Sequence, residues 1–125
     1  MSSKIRIINS VDELTSIVQT KDSDEIIFSN LDIKFALDYA TFSLLLGMNI
    51  LDLEDDNCVE FNKVVVFNNV KCPKLEIVNF EFTEKFEIRE SDITTVRFNN
   101  CNFKSDFSIY NFKNAITELN IQNSS

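Results

Sequence analysis

The residues of this chain that could carry out catalysis are its carboxylates, because histidine is absent. Two closely spaced pairs, Asp55 with Asp56 and Glu87 with Glu90, have the side chains that a glycoside hydrolase uses as acid and base. Acid–base catalysis also needs a pocket that shifts a pKa, and a charged side chain on the outer side of a strand is usually solvated. The sequence therefore favours a protein that is not an enzyme, and a carboxylate-based hydrolase is the third alternative.

The cysteines and the scarcity of glycine argue against metal and cofactor sites. Cys58, Cys72 and Cys101 form no C-x-x-C motif, and no histidine can complete a tetrahedral zinc site. The single glycine excludes glycine-rich phosphate-binding loops, and the acidic run that starts at Asp52 lacks the central glycine of a calcium loop. We therefore expect no metal and no cofactor. Three reduced thiols, the lack of a signal sequence and the lack of an apolar run of roughly 18 residues predict a cytoplasmic protein that does not enter a membrane.

The acidic excess lies entirely in the first half of the chain. Residues 1–60 contain 4 basic and 12 acidic side chains, whereas residues 61–125 contain 8 of each. The densest acidic cluster consists of Asp52, Glu54, Asp55, Asp56 and Glu60. Such a cluster repels nucleic acid and attracts a basic protein surface. These five residues are therefore the candidate partner-binding site, and the alternative is that the charge only confers solubility.

A period of 21 residues runs through the second half of the chain. Leu75–Phe82 aligns with Val96–Phe103, and a further copy begins at Leu119, 23 positions after Val96. A second series has the same 21-residue spacing and begins at Val65, Phe86 and Phe107. The segments alternate apolar residues with others and usually reach an asparagine, which is typical of a short half-buried strand followed by a turn.

Strands at a fixed spacing predict a mainly β protein, a right-handed β-solenoid with about 21–25 residues per coil and two short strands per coil in the C-terminal half. The coils then share one apolar column. Its predicted stacks are Leu75/Val96/Leu119, Ile77/Phe98/Ile121, Phe86/Phe107, Ile88/Ile109 and Phe82/Phe103. Asparagine tolerates a positive φ better than most residues, so a periodic series predicts corners with a ladder of side-chain amides. That series is Asn57, Asn79, Asn100 and Asn123.

We expect the first half of the chain to continue the same period with coils that each contain a strand and a helix. Its apolar pairs, which precede Leu75/Ile77 by steps of 21, 25 and 24, are Ile5/Ile7, Ile26/Phe28 and Leu51/Leu53. A capping box at Ser10 and Glu13 predicts an amphipathic helix that caps the column, and a second helix is predicted within residues 38–47. We expect one domain, with strand–helix coils and the cap in residues 1–47 and strand–strand coils in residues 48–125.

Segments of the chain resemble two repeat families. Ile93–Phe103 resembles the leucine-rich-repeat pattern L-x-x-L-x-L-x-x-N/C-x-L at every fixed position, and Ile26–Ile33 and Leu75–Phe82 match its latter part. Asn100–Phe107 is similar to pentapeptide-repeat proteins, right-handed β-helices of which some acidic members imitate DNA, although the strict five-residue recurrence is missing. Both families are generally non-catalytic binding surfaces, so the resemblance implies a protein-binding module.

The composition and the resemblance together predict a non-enzymatic inhibitor that binds and blocks another protein. It would be an immunity protein that neutralises a toxin, or a phage-encoded inhibitor of the anti-CRISPR kind whose acidic face imitates nucleic acid on a basic target. The alternative is a structural repeat protein that forms a homodimer through its C-terminal edge strand, because no capping helix follows Leu119–Ser125 in the sequence.

Overall fold

The computed structural model describes residues 5–10, 12, 24–38, 59–111 and 118–122. Its strands are β1 (Ile5–Ile8), β2 (Glu25–Asp32), β3 (Val59–Phe61), β4 (Val64–Val78), β5 (Phe80–Phe82), β6 (Phe86–Arg89), β7 (Asp92–Asn99), β8 (Asn102–Phe103), β9 (Phe107–Tyr110) and β10 (Glu118–Gln122). All their pairings are parallel, and they build a β-solenoid of about four turns, which confirms the prediction of a mainly β solenoid. The described residues contain no α-helix, and accordingly none that could cross a membrane.

The solenoid has three walls of strands. The first wall consists of β1, the beginnings of β2 and β4, β6 and β9, while the second contains the ends of β2 and β4, β7 and β10. The third wall is a separate sheet in the order β3-β5-β8. The prediction of two short strands per coil is therefore wrong: β6, β7 and β8 form a coil of three strands, and in the preceding coil β4 runs through two walls as one strand of 15 residues. Strands of two or three residues, such as β8 and β5, are too short for an alternating pattern to be visible in the sequence.

Residues with a positive φ form the corners between the walls. Those between the first and second walls are Asn30, Asn69, Glu90 and Asn111, and those between the second and third are Asn79 and Asn100. The Nδ2 group of Asn100 donates a hydrogen bond to Oδ1 of Asn79 at 2.9 Å, and Asn69 bonds Asn30 in the same way at 2.7 Å. The asparagine ladder is thus confirmed at Asn79 and Asn100, whereas Asn57 and Asn123 lie outside the described residues.

The apolar column is built as the period predicts. Ile77 pairs with Phe98 and Phe98 with Ile121, while Leu75, Val96 and Leu119 are matched in the same way. The remaining predicted stacks are confirmed as well, namely Phe86/Phe107, Ile88/Ile109 and Phe82/Phe103. Phe86 is fully buried, and its ring lies within 6.1 Å of five other phenylalanine rings. Stacked rings of this kind add packing energy to the burial of apolar surface.

Two predictions for the first half are wrong in register. Ile26 and Phe28 pair with Val65 and Phe67 of the first wall instead of leading to Leu75 and Ile77 of the second. In β1, Arg6 and Ile8 stack over Ile26 and Phe28, so that Ile5 and Ile7 point outwards and are 54% and 50% exposed. A shift of one residue turns every side chain of a strand to the other face. Because the run Ile5–Ile8 has apolar residues in both phases, its sequence does not decide between them.

An insertion interrupts the repeat in the second coil. Leu37 and Val59 pair with Leu75 and Phe80, which are five positions apart, whereas Leu37 and Val59 are 22 positions apart. Because β2 pairs directly with β4, the coil expected around Leu51/Leu53 has no place in the stack. The insertion falls on residues 39–58, outside the described residues.

The predicted helices also lie almost wholly outside the described residues. At the start of the first, the Asp12 backbone N–H donates to Oγ of Ser10 at 3.3 Å, but the described residues give no support to a helical cap. The division at residue 47 and the right-handed sense of the coil stay predictions.

Glu90 is the one residue in the first-to-second-wall corners that is not an asparagine, and its φ is 54°. A left-handed conformation costs an ordinary residue about 1–2 kcal/mol, and asparagine less. We expect Glu90→Asn to raise the free energy of unfolding by about 1 kcal/mol in a urea titration. The control is Glu84→Asn, an exposed glutamate outside the positive-φ residues, which should change it by less than about 0.5 kcal/mol. A loss of stability in Glu90→Asn would contradict this account of the corners.

Candidate interaction surface

Glu60 is the one member of the predicted acidic site that the structure describes. It lies in β3 on the outer side of the third wall, where it is exposed and pairs in register with Glu81 of β5. Asp52, Glu54, Asp55 and Asp56 lie outside the described residues. The structure therefore places the last residue of the acidic cluster on a strand of the third wall.

The third wall stacks two carboxylates on neighbouring strands. Adjacent strands are about 4.8 Å apart, so like charges at paired positions destabilise each other. Lys104 relieves part of this repulsion, because its Nζ lies 3.5 Å from Oε1 of Glu81. The Glu60 carboxylate has no hydrogen-bond or ion-pair partner within the described part of the chain. Glu84 follows at the exposed turn after β5. This wall is therefore electrostatically suited to a cationic side chain supplied from outside.

The outer side of the first wall contains a buried glutamate that is fully paired. Glu87 is 7% exposed, and its Oε2 accepts a hydrogen bond from Nη1 of Arg89 at 2.6 Å. Its Oε1 accepts one from the Tyr110 hydroxyl at 3.1 Å. Glu90, its proposed partner in acid–base catalysis, instead accepts a hydrogen bond from Asn111 at 3.3 Å. Because both oxygens of Glu87 are held by neighbouring strand residues, the arrangement orients strands and offers no free carboxylate.

The second wall has a charge ladder that sequence reasoning missed. Asp32, Lys71 and Asp92 are paired across three adjacent strands, β2, β4 and β7. Two shallow cavities of about 300 and 260 Å³ share all three residues. The sequence alone does not reveal this ladder, because the paired residues are 39 and 21 positions apart and the first distance includes the insertion. The alternating charges compensate one another, and the described residues contain no cluster of acids and thiols able to hold a metal.

The cysteines of the described chain lie inside the column. Cys72 and Cys101 are free thiols with 3% and 0% exposure, while Cys58 lies outside the described residues. Burial raises the pKa of Cys72 to about 12, against an ordinary value near 9. A thiolate is therefore disfavoured in the folded protein, and with it thiol nucleophilic chemistry.

Comparisons with known proteins give no indication of function, so a functional proposal has to be based on the geometry of the surface. No protein-family model matches the chain, and no curated protein or solved structure is detectably similar to it. The described coils, whose strands form three walls, also differ from the strand–helix unit of leucine-rich repeats.

The raised pKa of Cys72 predicts that this thiol is unreactive in the folded protein. At pH 8 we expect iodoacetamide to label Cys72 at least roughly 100-fold more slowly in native protein than in urea, as followed by peptide mass spectrometry. Because the folded state prefers the protonated thiol, this group's contribution to stability is present below about pH 9 and is lost as the pH rises towards 12. Cys72→Ala should remove that part of the alkaline dependence. Rapid labelling of Cys72 in native protein would contradict the assignment.

Proposed function

We propose that this protein is a non-enzymatic inhibitor that binds another protein and blocks a basic surface on it. The observation that carries the proposal is the acidic excess of the first half, which ends in Glu60 on the rigid third wall beside Glu81. Carboxylates held on neighbouring strands repel each other in the free protein, and a cationic partner removes that repulsion. Binding is thus favoured because it removes the electrostatic repulsion between these carboxylates.

The solenoid supports this function because it needs little reorganisation on binding. The strand pairing of each wall fixes the backbone and the face on which each side chain lies, so that an interface on one wall has little backbone entropy to lose. The proposed target has a basic groove, such as one that normally holds nucleic acid, and the acids of the cluster take the place of phosphates. The protein acts in the cytoplasm, as an immunity protein or a phage-encoded inhibitor, and without catalysis.

Reversing the acidic cluster tests the proposal. Candidate partners are captured with the tagged chain and then reconstituted with it as a purified pair at low salt. We expect the variant with lysine at Asp52, Glu54, Asp55, Asp56 and Glu60 to bind at least about 100-fold more weakly, because close interfacial charge pairs contribute about 1.5–7 kcal/mol. The wild-type affinity should fall steeply with added salt.

The matched control reverses exposed acids on other parts of the solenoid. Asp32, Glu90 and Asp106 are exposed and distant in sequence from the cluster, so their replacement by lysine should leave binding within a few-fold. If the five-residue variant binds the purified partner as tightly as the wild type, the acidic cluster is not the binding site.

One observation favours a second candidate, self-association. Among the described residues, β8, β9 and β10 each pair with one neighbouring strand only. The column residues at this end, Phe103, Phe107 and Ile109, are only half-buried. An edge of this kind invites pairing with a second copy, and contact there would keep the two acidic first halves apart.

Light scattering separates the two candidates. If the chain is a homodimer that meets at β9 and β10, its molar mass in solution is twice 14.4 kDa and Phe107→Asp lowers it to the monomer value. A monomer at millimolar concentration would exclude self-association as the function and leave the inhibitor proposal unaffected.

A further inference from the structure

An apolar patch lies on the outer side of the first wall. Ile7 of β1 pairs with Ile27 of β2, and Ile27 pairs with Val66 of β4, so that three outward side chains form a row across the strands. Ile5 and Val64 lie beside this row, each in register with Glu25. We call these five residues the outer apolar patch: Ile5, Ile7, Ile27, Val64 and Val66.

The outer apolar patch is exposed at β1 and becomes buried towards β4. Ile5 and Ile7 are 54% and 50% exposed, Ile27 is half-buried and Val66 is 2% exposed. The outer face of a sheet that meets water normally carries polar side chains. Adjacent exposed apolar side chains on such a face mark an interaction site more often than a scattered single residue does. The exposed end of the patch, formed by Ile5 and Ile7, is therefore a surface that another molecule would cover, whereas Val66 is already buried within the chain.

Glu25 restricts what that molecule can be. It lies between Ile5 and Val64 on the same face, is half-buried, and has no hydrogen-bond or ion-pair partner within the described part of the chain. A purely apolar occupant would bury this carboxylate without compensation, which is costly. An occupant that also carries a cationic group would pair with it instead. The required chemistry is an apolar surface with a lysine or arginine next to it.

We infer that the outer apolar patch is the docking surface for a segment of a partner protein that combines branched apolar side chains with a basic one. The apolar side chains cover Ile5 and Ile7, and the cation binds Glu25. The inference rests on the proposed function in one respect, namely that the partner is a basic protein. It adds a second contact on a different wall from Glu60, one that buries apolar surface and therefore slows dissociation.

The probes are two synthetic peptides with the same number of lysines, one alternating leucine with lysine and one alternating serine with lysine. Their binding to the full chain is measured by fluorescence anisotropy at 150 mM salt. We expect Ile7→Ser to weaken the leucine–lysine peptide roughly ten-fold or more and to leave the serine–lysine peptide unchanged. Glu25→Gln should weaken the leucine–lysine peptide several-fold, and hydrogen exchange of the β1 and β2 amides should slow when this peptide binds.

Phe35→Ser is the matched control, because Phe35 is 44% exposed on the second wall and lies outside the patch. An equal loss of peptide binding in Phe35→Ser and Ile7→Ser would overturn the inference, since any exposed apolar residue would then suffice. Binding of neutral phosphatidylcholine vesicles that is abolished by Ile7→Ser would overturn it too, in favour of a membrane surface. Circular dichroism establishes that each variant is folded.

Glu60→Lys separates this inference from the proposed function. If Glu60→Lys weakens both peptides while Ile7→Ser weakens neither, the acidic surface stands and the docking surface is overturned. If Ile7→Ser weakens the leucine–lysine peptide while Glu60→Lys changes nothing, the docking surface stands and the acidic cluster is not the site.

Discussion

Parallel pairing in register between successive coils is the constraint on which the rest of this structure depends. Because β4 pairs with β6 and β7 at a constant offset of 21 residues, each side chain lies over its counterpart in the next coil. A phenylalanine column forms because Phe28 pairs with Phe67, Phe86 with Phe107 and Phe82 with Phe103. The asparagine corners are dictated by the same offset, since a coil that turns at a residue with positive φ must turn there in every copy. Stacking therefore stabilises the interior and repeats the corners.

The same register also places equivalent side chains beside each other on the surface, where the interaction between them can be unfavourable. Equivalent outward positions bring Glu60 beside Glu81, and the free energy of that pair is unfavourable unless a cation joins it. Lys104 supplies one cation to Glu81, and the alternation of Asp32, Lys71 and Asp92 shows how the second wall avoids the problem. The third wall retains its repulsion at Glu60. Because the second wall is compensated in this way and the third is not, the repulsion retained at Glu60 is an argument for a binding partner.

The second half of the chain could be predicted in detail because its period is nearly constant. The pairings among β4, β6, β7 and β9 follow from the 21-residue spacing, down to that of Ile77 with Phe98, and the pairing of β10 with β7 follows from a spacing of 23. The first half could not, for two physical reasons. The run Ile5–Ile8 has isoleucine in both phases of a strand, and Ile8 shares its phase with Arg6, so the pairing with β2 decides that Ile5 and Ile7 face outwards. The insertion between Leu37 and Val59 imitates an additional coil, so the steps of 25 and 24 residues suggested a stack that does not exist.

The candidate site was predictable to a smaller extent, since surfaces depend on which distant strands become neighbours. The acidic cluster is visible in the sequence as a local run. Glu81 and Glu25 become part of the candidate surfaces only because strand pairing places them beside Glu60 and Ile5. The two proposed surfaces would then serve different purposes. Charge on the third wall would act over a Debye length and raise the rate of association, whereas apolar contact on the first wall would act only after docking and lower the rate of dissociation. Since only Asn62 and Lys63 separate β3 from β4, the third and first walls meet at one corner, and a partner bound at that corner would contact both walls.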